Sequence, residues 1–290
     1  MLELLQFTFM QRALIAATLT GAVCAVIGVY VVLRGMSFIG AGISHASFGG
    51  VALGFFLRIN PFHTAVVFCL LVAWLIGWVS ERQRLREDAA VGIFFASTMA
   101  FGVLLVGLLK GVQIDLFGYL FGNILAISST ELLSMVVLAL VVFTVIVFFY
   151  KELLLLTFDA EMAAVIGLSV RGFNFIFLTL LALTIVLSIK AVGIVLVSAL
   201  LVIPAASAAQ LTDRFRNMMI VSVVFGVVSC WVGLFLSAVL DIASGATIVL
   251  TATFFFFVSM LISPQRKKMR MRIGKLQKQS PEEYQESNPY

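Results

Sequence analysis

The chain has 290 residues, 62% of them hydrophobic and only 11% charged, with a formal net charge of +5. A soluble domain of this length needs far more charge to clothe its surface, so a soluble fold is excluded. Where the positive charges fall, rather than any nucleic-acid partner, explains the net charge.

Apolar stretches of about 20 residues recur, each long enough to cross a bilayer as a helix. Lipid offers no partner to open backbone groups, so such stretches are helical. The short alternating segments of a membrane β-barrel are absent. The expected fold is all-α, a polytopic transmembrane bundle of about eight to nine spans filling residues 1–263, followed by a tail over 264–290. The spans fall at roughly 12–33, 43–58, 62–80, 89–109, 131–150, 173–189, 192–211, 217–239 and 247–263.

Taken in order, the N-terminus is no cleavable signal, because Glu3 stands where a positive region belongs and the apolar stretch after Arg12 is long enough to span. The second span carries His45 about 11 residues beyond Arg34, well inside the membrane at about 1.5 Å of rise per residue. Gly42, Ala46, Gly50 and Gly54 recur at every fourth position of that span, a seam of small residues that lets another helix approach closely. The face of His45 carries Ala41, Gly49 and Ala52, too small to fill the space around an imidazole. A histidine projecting into a cavity or water-lined path is one reading, and one hydrogen-bonded within the core is the other. His63 follows Pro61 in a turn and reads as solvated.

The loop 81–88 is strongly charged. Residues 111–130, which include Asp115, either form a connection or dip back into the protein. Segment 151–172 is polar enough to lie outside the bilayer, and within it FDAEMAAVIGLSV has early acids, an apolar face and a terminal glycine. That pattern predicts a short amphipathic helix, either a connector or a docking element. Asp241 and Asp115, near the same membrane face, either attract cations at an entrance or cap helices. The tail is basic, then polar and acidic, and reads as a disordered extension and positive anchor.

Orientation follows from the basic residues. Placing 81–88 in the cytoplasm and alternating from there puts 15 of the 19 Lys and Arg on the cytoplasmic side, leaving only Arg12, Arg58, Lys110 and Lys190 outside. Cys24, Cys69 and Cys230 lie in apolar spans without paired spacing and read as small core residues. No GxxxxGK[ST] occurs, so ATP hydrolysis through a P-loop is excluded for this chain alone. No HExxH or GxSxG occurs either, which leaves an intramembrane enzyme without a reacting pair.

Six stretches carry a resemblance: VVLRGMSFIGAGISHASFGGVALGF, EDAAVGIFFAS, DLFGYLFGNILAIS, FDAEMAAVIGL, VGIVLVSALLVIPAASAAQL and DIASGATIVL. In these, and in their order, the sequence resembles the ABC-3 permeases, membrane subunits of bacterial zinc, manganese and iron importers. The resemblance implies a permease in the bacterial cytoplasmic membrane, paired with a second identical or different permease. It also implies separate ATPase subunits, and an extracellular or periplasmic protein that delivers the metal. No permanent cofactor is implied, only a divalent metal ion in transit, with His45, Ser44, Asp115 and Asp241 as candidates for its path. Phe158, Asp159, Glu161, Ala163, Ile166 and Gly167, within a coupling segment of about 157–172, match the family's contact with the ATPase. One departure stands out. The family pattern G-D-x-x-S-H places an acid four residues before the histidine, and here that position is Ala41. Carboxylate and imidazole on one helix face make a partial metal site, of which this chain keeps half. A metal chelate as cargo, or a partner permease that supplies the ligands, stays open.

Overall fold

The computed structural model describes residues 6–83, 87–109 and 116–263. Among them lie nine helices long and apolar enough to cross a membrane. These are α1 (Thr8–Leu33), α2 (Ile39–Leu57), α3 (Pro61–Gln83), α4 (Glu87–Leu108), α6 (Ser129–Phe148), α9 (Val170–Val192), α10 (Ile194–Leu211), α11 (Phe215–Leu240) and α12 (Ser244–Ile262). Three shorter helices complete the set, α5 (Leu116–Phe121), α7 (Tyr150–Phe158) and α8 (Ala160–Val165). No strand occurs among the described residues. Asp115, Lys110, residues 84–86 and the tail lie outside the described residues.

Local chemistry sets the helix ends. Asn60 Oδ1 accepts the Phe62 N–H at 2.9 Å just as Pro61 opens α3, where proline's missing donor costs nothing. Ser128 and Glu131 form a reciprocal capping box at the start of α6. Helices α9 and α10 would run on as one, but Gly193 at φ +90° breaks the chain between them.

Helices α1, α2 and α9 form the centre, with 72% of their spanning windows buried, against 22–33% for α3, α4, α6, α11 and α12. Helix α2 packs on α3 and α4, while α1 packs on α11 and α10. The small-residue seam of α2 does what its spacing predicts, on two partners. A Cβ on Gly42 would meet Val91 Cγ1 of α4 at 2.5 Å. One on Gly50 would lie 2.8 Å from Ala65 Cα of α3, and one on Gly54 would lie 2.6 Å from Pro61 Cα. Ala46 is fully buried between them.

Residues 118–127 pack back against the protein. Helix α5 and a 3₁₀ turn (Ile124–Ala126) bury Ile124 completely, and the Asn123 N–H donates to the Lys190 carbonyl at 3.2 Å. The Glu131 carboxylate pairs with Lys190 Nζ at 2.9 Å, and the same ammonium sits 4.7 Å from the Tyr119 ring centroid. This clamp closes one end of the bundle. The opposite end carries Arg34, Arg82, the Arg171–Glu81 ion pair at 3.1 Å, and the α7–α8 elbow.

Candidate functional site

His45 lies in the second turn of α2, about 9 Å from its first residue at the ordinary helical rise. Between Ile39 and Ala52 only Ala41 and His45 escape full burial, so they mark one strip of α2 that the rest of the chain leaves partly uncovered. The imidazole meets the Phe95 ring of α4 edge-on, with centroids 4.6 Å apart and planes at 72°. Its Nδ1 is enclosed without a hydrogen-bond partner. An unsatisfied polar atom inside a membrane protein calls for a function, because most such groups find partners.

Two features of the predicted site turn out otherwise. The small residues along the histidine face do not leave a void: a Cβ on Gly49 would lie 2.9 Å from the Thr98 carbonyl and 3.2 Å from the Phe68 ring. Neighbouring helices fill that space, and between residues 39 and 52 the partly uncovered ground is confined to Ala41 and His45. Ser44, adjacent in sequence, points about 100° away around the helix and is fully buried, its hydroxyl donating to the Ala41 carbonyl at 3.0 Å. Asp241 is exposed at the far end of the bundle, in left-handed conformation (φ 54°), where its N–H caps α11 by bonding the Ser237 carbonyl. It does not converge with His45. Among the described residues no group of three or more His, Cys, Asp or Glu gathers as a metal site. His63 lines a cavity of about 480 Å³ at the Lys190 end, with Asn60, Tyr119 and Glu131. Cys24, Cys69 and Cys230 are free and buried, as core residues should be.

The FDAEMAAVIGL stretch folds as a stem, a cap and a short helix. Asp159 Oδ1 accepts the Met162 N–H at 2.8 Å, which starts α8, and Gly167 at φ +89° stops the chain one residue after Ile166. Phe158, Met162, Val165 and Ile166 stand 64%, 52%, 81% and 60% exposed. Within α8 and its C-cap, Met162, Val165 and Ile166 are spaced three and four residues apart and so share one face, with Glu161 exposed on the same helix and Phe158 exposed at the end of the stem. Ala163, expected among the outward contacts, is instead fully buried, because it faces inward beneath that apolar face. Met162 and Val165 take its place, a substitution readable from the helical period once Asp159 is known to be the cap.

A second cavity, of about 370 Å³, opens between α2, α3 and α9 at the Arg34 end, and is lined by Arg34, Glu81, Glu87, Arg171 and Asn174 among others. Sequence reasoning singled out none of these side chains. A lone arginine at a helix end looks like an ordinary membrane anchor until its partners are seen.

The family model described as "ABC 3 transport family" matches residues 6–263. The chain belongs to the ABC 3 transport family. Among curated members, it is 40% identical over 264 residues to the manganese transport system membrane protein MntC of Halalkalibacterium halodurans, covering 91% of this chain and 90% of that one. To the high-affinity zinc uptake system membrane protein ZnuB of Haemophilus influenzae it is 36% identical over 254 residues, covering 88% and 97%. Among solved structures, PsaBC from Streptococcus pneumoniae in complex with Fab superposes with a TM-score of 0.84 at 36% identity, covering 93% of this ABC 3 family chain and 97% of the other. The helix bundle of this chain is therefore a fold already seen in that solved structure.

Proposed function

We propose that this chain is the permease subunit of an ATP-driven importer in the bacterial cytoplasmic membrane, passing a divalent transition-metal ion of the manganese and zinc class inward. Family membership supports the transport reading, and the printed functions of the relatives supply the cargo class. The observation that carries the site is His45: an intramembrane imidazole that, with Ala41, is left partly uncovered by the described residues in the first three to four turns of α2.

A second permease covering that strip, whether identical or different, would enclose the ion between two subunits. Imidazole suits zinc and iron, whereas manganese favours oxygen ligands, which backbone carbonyls, water or the partner permease would supply. One such ligand per subunit, without the acid that Ala41 replaces, holds an ion weakly enough to release it, as conduction requires. The chain has no P-loop, so ATP must be hydrolysed by a separate subunit, and the exposed face of α8 is the surface offered to it. A metal-binding protein delivers cargo at the Lys190 end, which is extracellular on the distribution of basic residues. Domain limits follow: residues 1–263 conduct, and 264–290 anchor at the cytoplasmic face.

The test is metal content in cells lacking the gene and complemented with His45→Ala or Ala41→Asp, grown under manganese or zinc limitation. His45→Ala should abolish uptake at wild-type expression. Ala41→Asp restores an acid one helical turn from the imidazole, so purified permease should retain more metal and turn over more slowly. Uptake that survives His45→Ala, with no added retention in Ala41→Asp, would transfer the ligands to a partner permease or make the cargo a chelate.

A further inference from the structure

Arg34 sits in the turn between α1 and α2, and its guanidinium reaches two other elements. Nε–H donates to Thr157 Oγ1 at 3.2 Å, and Nη1–H donates to Asn174 Oδ1 at 3.1 Å. The planar group also lies 4.3 Å from the Phe177 ring centroid, a cation–π contact. Thr157 is in the last turn of α7, two residues before the Asp159 cap of α8, and its own hydroxyl proton goes to the Leu153 carbonyl at 2.7 Å. Its lone pairs are thus left to face the arginine. Asn174 belongs to the first turns of α9. One side chain therefore joins the stem of the exposed α8 face, the foot of the central α9, and the turn leading into α2, which carries His45.

The junction is not a rigid strut. Arg34 Nη2 has no partner, and the guanidinium borders the 370 Å³ cavity. Glu87, at the first position of α4, lines the same cavity and makes no ion pair within 4.0 Å among the described residues. An arginine with a donor free, an open space beside it and a carboxylate on the far wall has room to shift while staying charged and paired. An aromatic chain runs parallel to it: Phe158 meets Phe215 at 6.2 Å, and Phe215 meets Tyr30 of α1 at 5.4 Å. Displacement of α8 thus has two routes toward the α1–α2 turn, of which only the arginine is directional and hydrogen-bonded.

We propose that Arg34 is a positioning residue that converts movement of α8 into movement of α2, and so links ATP hydrolysis to the exposure of His45. The proposal rests on the reading of α8 as the ATPase contact. Its test uses the complete importer, the chain with its ATPase subunit and metal-binding protein, in proteoliposomes with Mn²⁺ as cargo. Arg34→Gln should keep the ATPase subunit bound and hold basal ATP hydrolysis within about twofold, while uptake per ATP falls tenfold or more. Arg34→Lys should fail similarly, because an ammonium cannot reproduce the planar fork that serves two acceptors at once. Thr157→Val and Asn174→Leu should each lose part of the coupling, and together no more than Arg34→Gln loses, as members of one network do. Ile166→Arg, on the α8 face, is the separate control: it should release the ATPase subunit, which Arg34→Gln does not. If Ile166→Arg still holds the ATPase, the docking reading fails independently of the arginine. Unchanged uptake per ATP in Arg34→Gln, full rescue by lysine, or a proportional loss of folded protein, hydrolysis and uptake would each overturn the proposal.

Discussion

Gly50→Ala tests how tightly the site helix is held. Ala at this position would place its Cβ 2.8 Å from Ala65 Cα, 2.9 Å from Phe68 Cβ and 3.3 Å from the Thr64 carbonyl. Ordinary contact begins near 3.4 Å, so α2 and α3 would have to part by about 0.6 Å. The nearest atoms are backbone or the first atom of a side chain, which no rotamer change can move. Over-packing of this kind costs about 1–3 kcal/mol. At about 2–4 °C per kcal/mol for a chain of this size, the apparent melting midpoint should fall by roughly 2–12 °C relative to a control glycine-to-alanine change elsewhere in a helix. Alanine's better helix propensity returns no more than about 1 kcal/mol. The assay is thermal unfolding of detergent-purified protein followed by size-exclusion, with Gly107→Ala as control, since a Cβ there meets nothing within 4 Å. Because α2 also carries His45, metal uptake should fall along with stability. A Gly50→Ala midpoint within about 1 °C of the Gly107→Ala control would refute the claim that this crossing is backbone-limited.

Two further outcomes are expected. Glu161→Arg, which places a cation beside the apolar face of α8, should lower ATPase association and uptake without affecting membrane insertion, as read by co-purification; unchanged association would count against α8 as the docking surface. The three native cysteines are buried, so single introduced cysteines report orientation cleanly: Arg82→Cys should resist an impermeant thiol reagent in intact cells while Asn60→Cys reacts, and the reverse pattern would invert the topology.

The spans were legible in the sequence because crossing a bilayer is a local requirement: about 20 apolar residues must satisfy their own backbone, and nothing distant alters that. The glycine seam of α2 was legible for a related reason, since close approach is decided by side-chain size at a fixed helical spacing. The cap and stop of α8 were equally local, written by Asp159 and Gly167. Direction was not. Which way His45 faces depends on how α3 and α4 cover the rest of α2, so the predicted void beside Gly49 became packed ground and, between residues 39 and 52, only Ala41 and His45 stayed partly uncovered by the described residues. Ser44 is turned into the core and Asp241 stands at the Lys190 end of the bundle as a helix cap, so neither gathers with His45. Ala163 was exchanged for Met162 and Val165 because the inward face of a six-residue helix is set by where its stem docks. Arg34 was invisible as anything but an anchor, because its partners lie more than 120 residues away in sequence. Helix length, caps and close-approach spacing are properties of a segment and its solvent; the facing of a side chain and the pairing of distant polar groups exist only once the helices have packed.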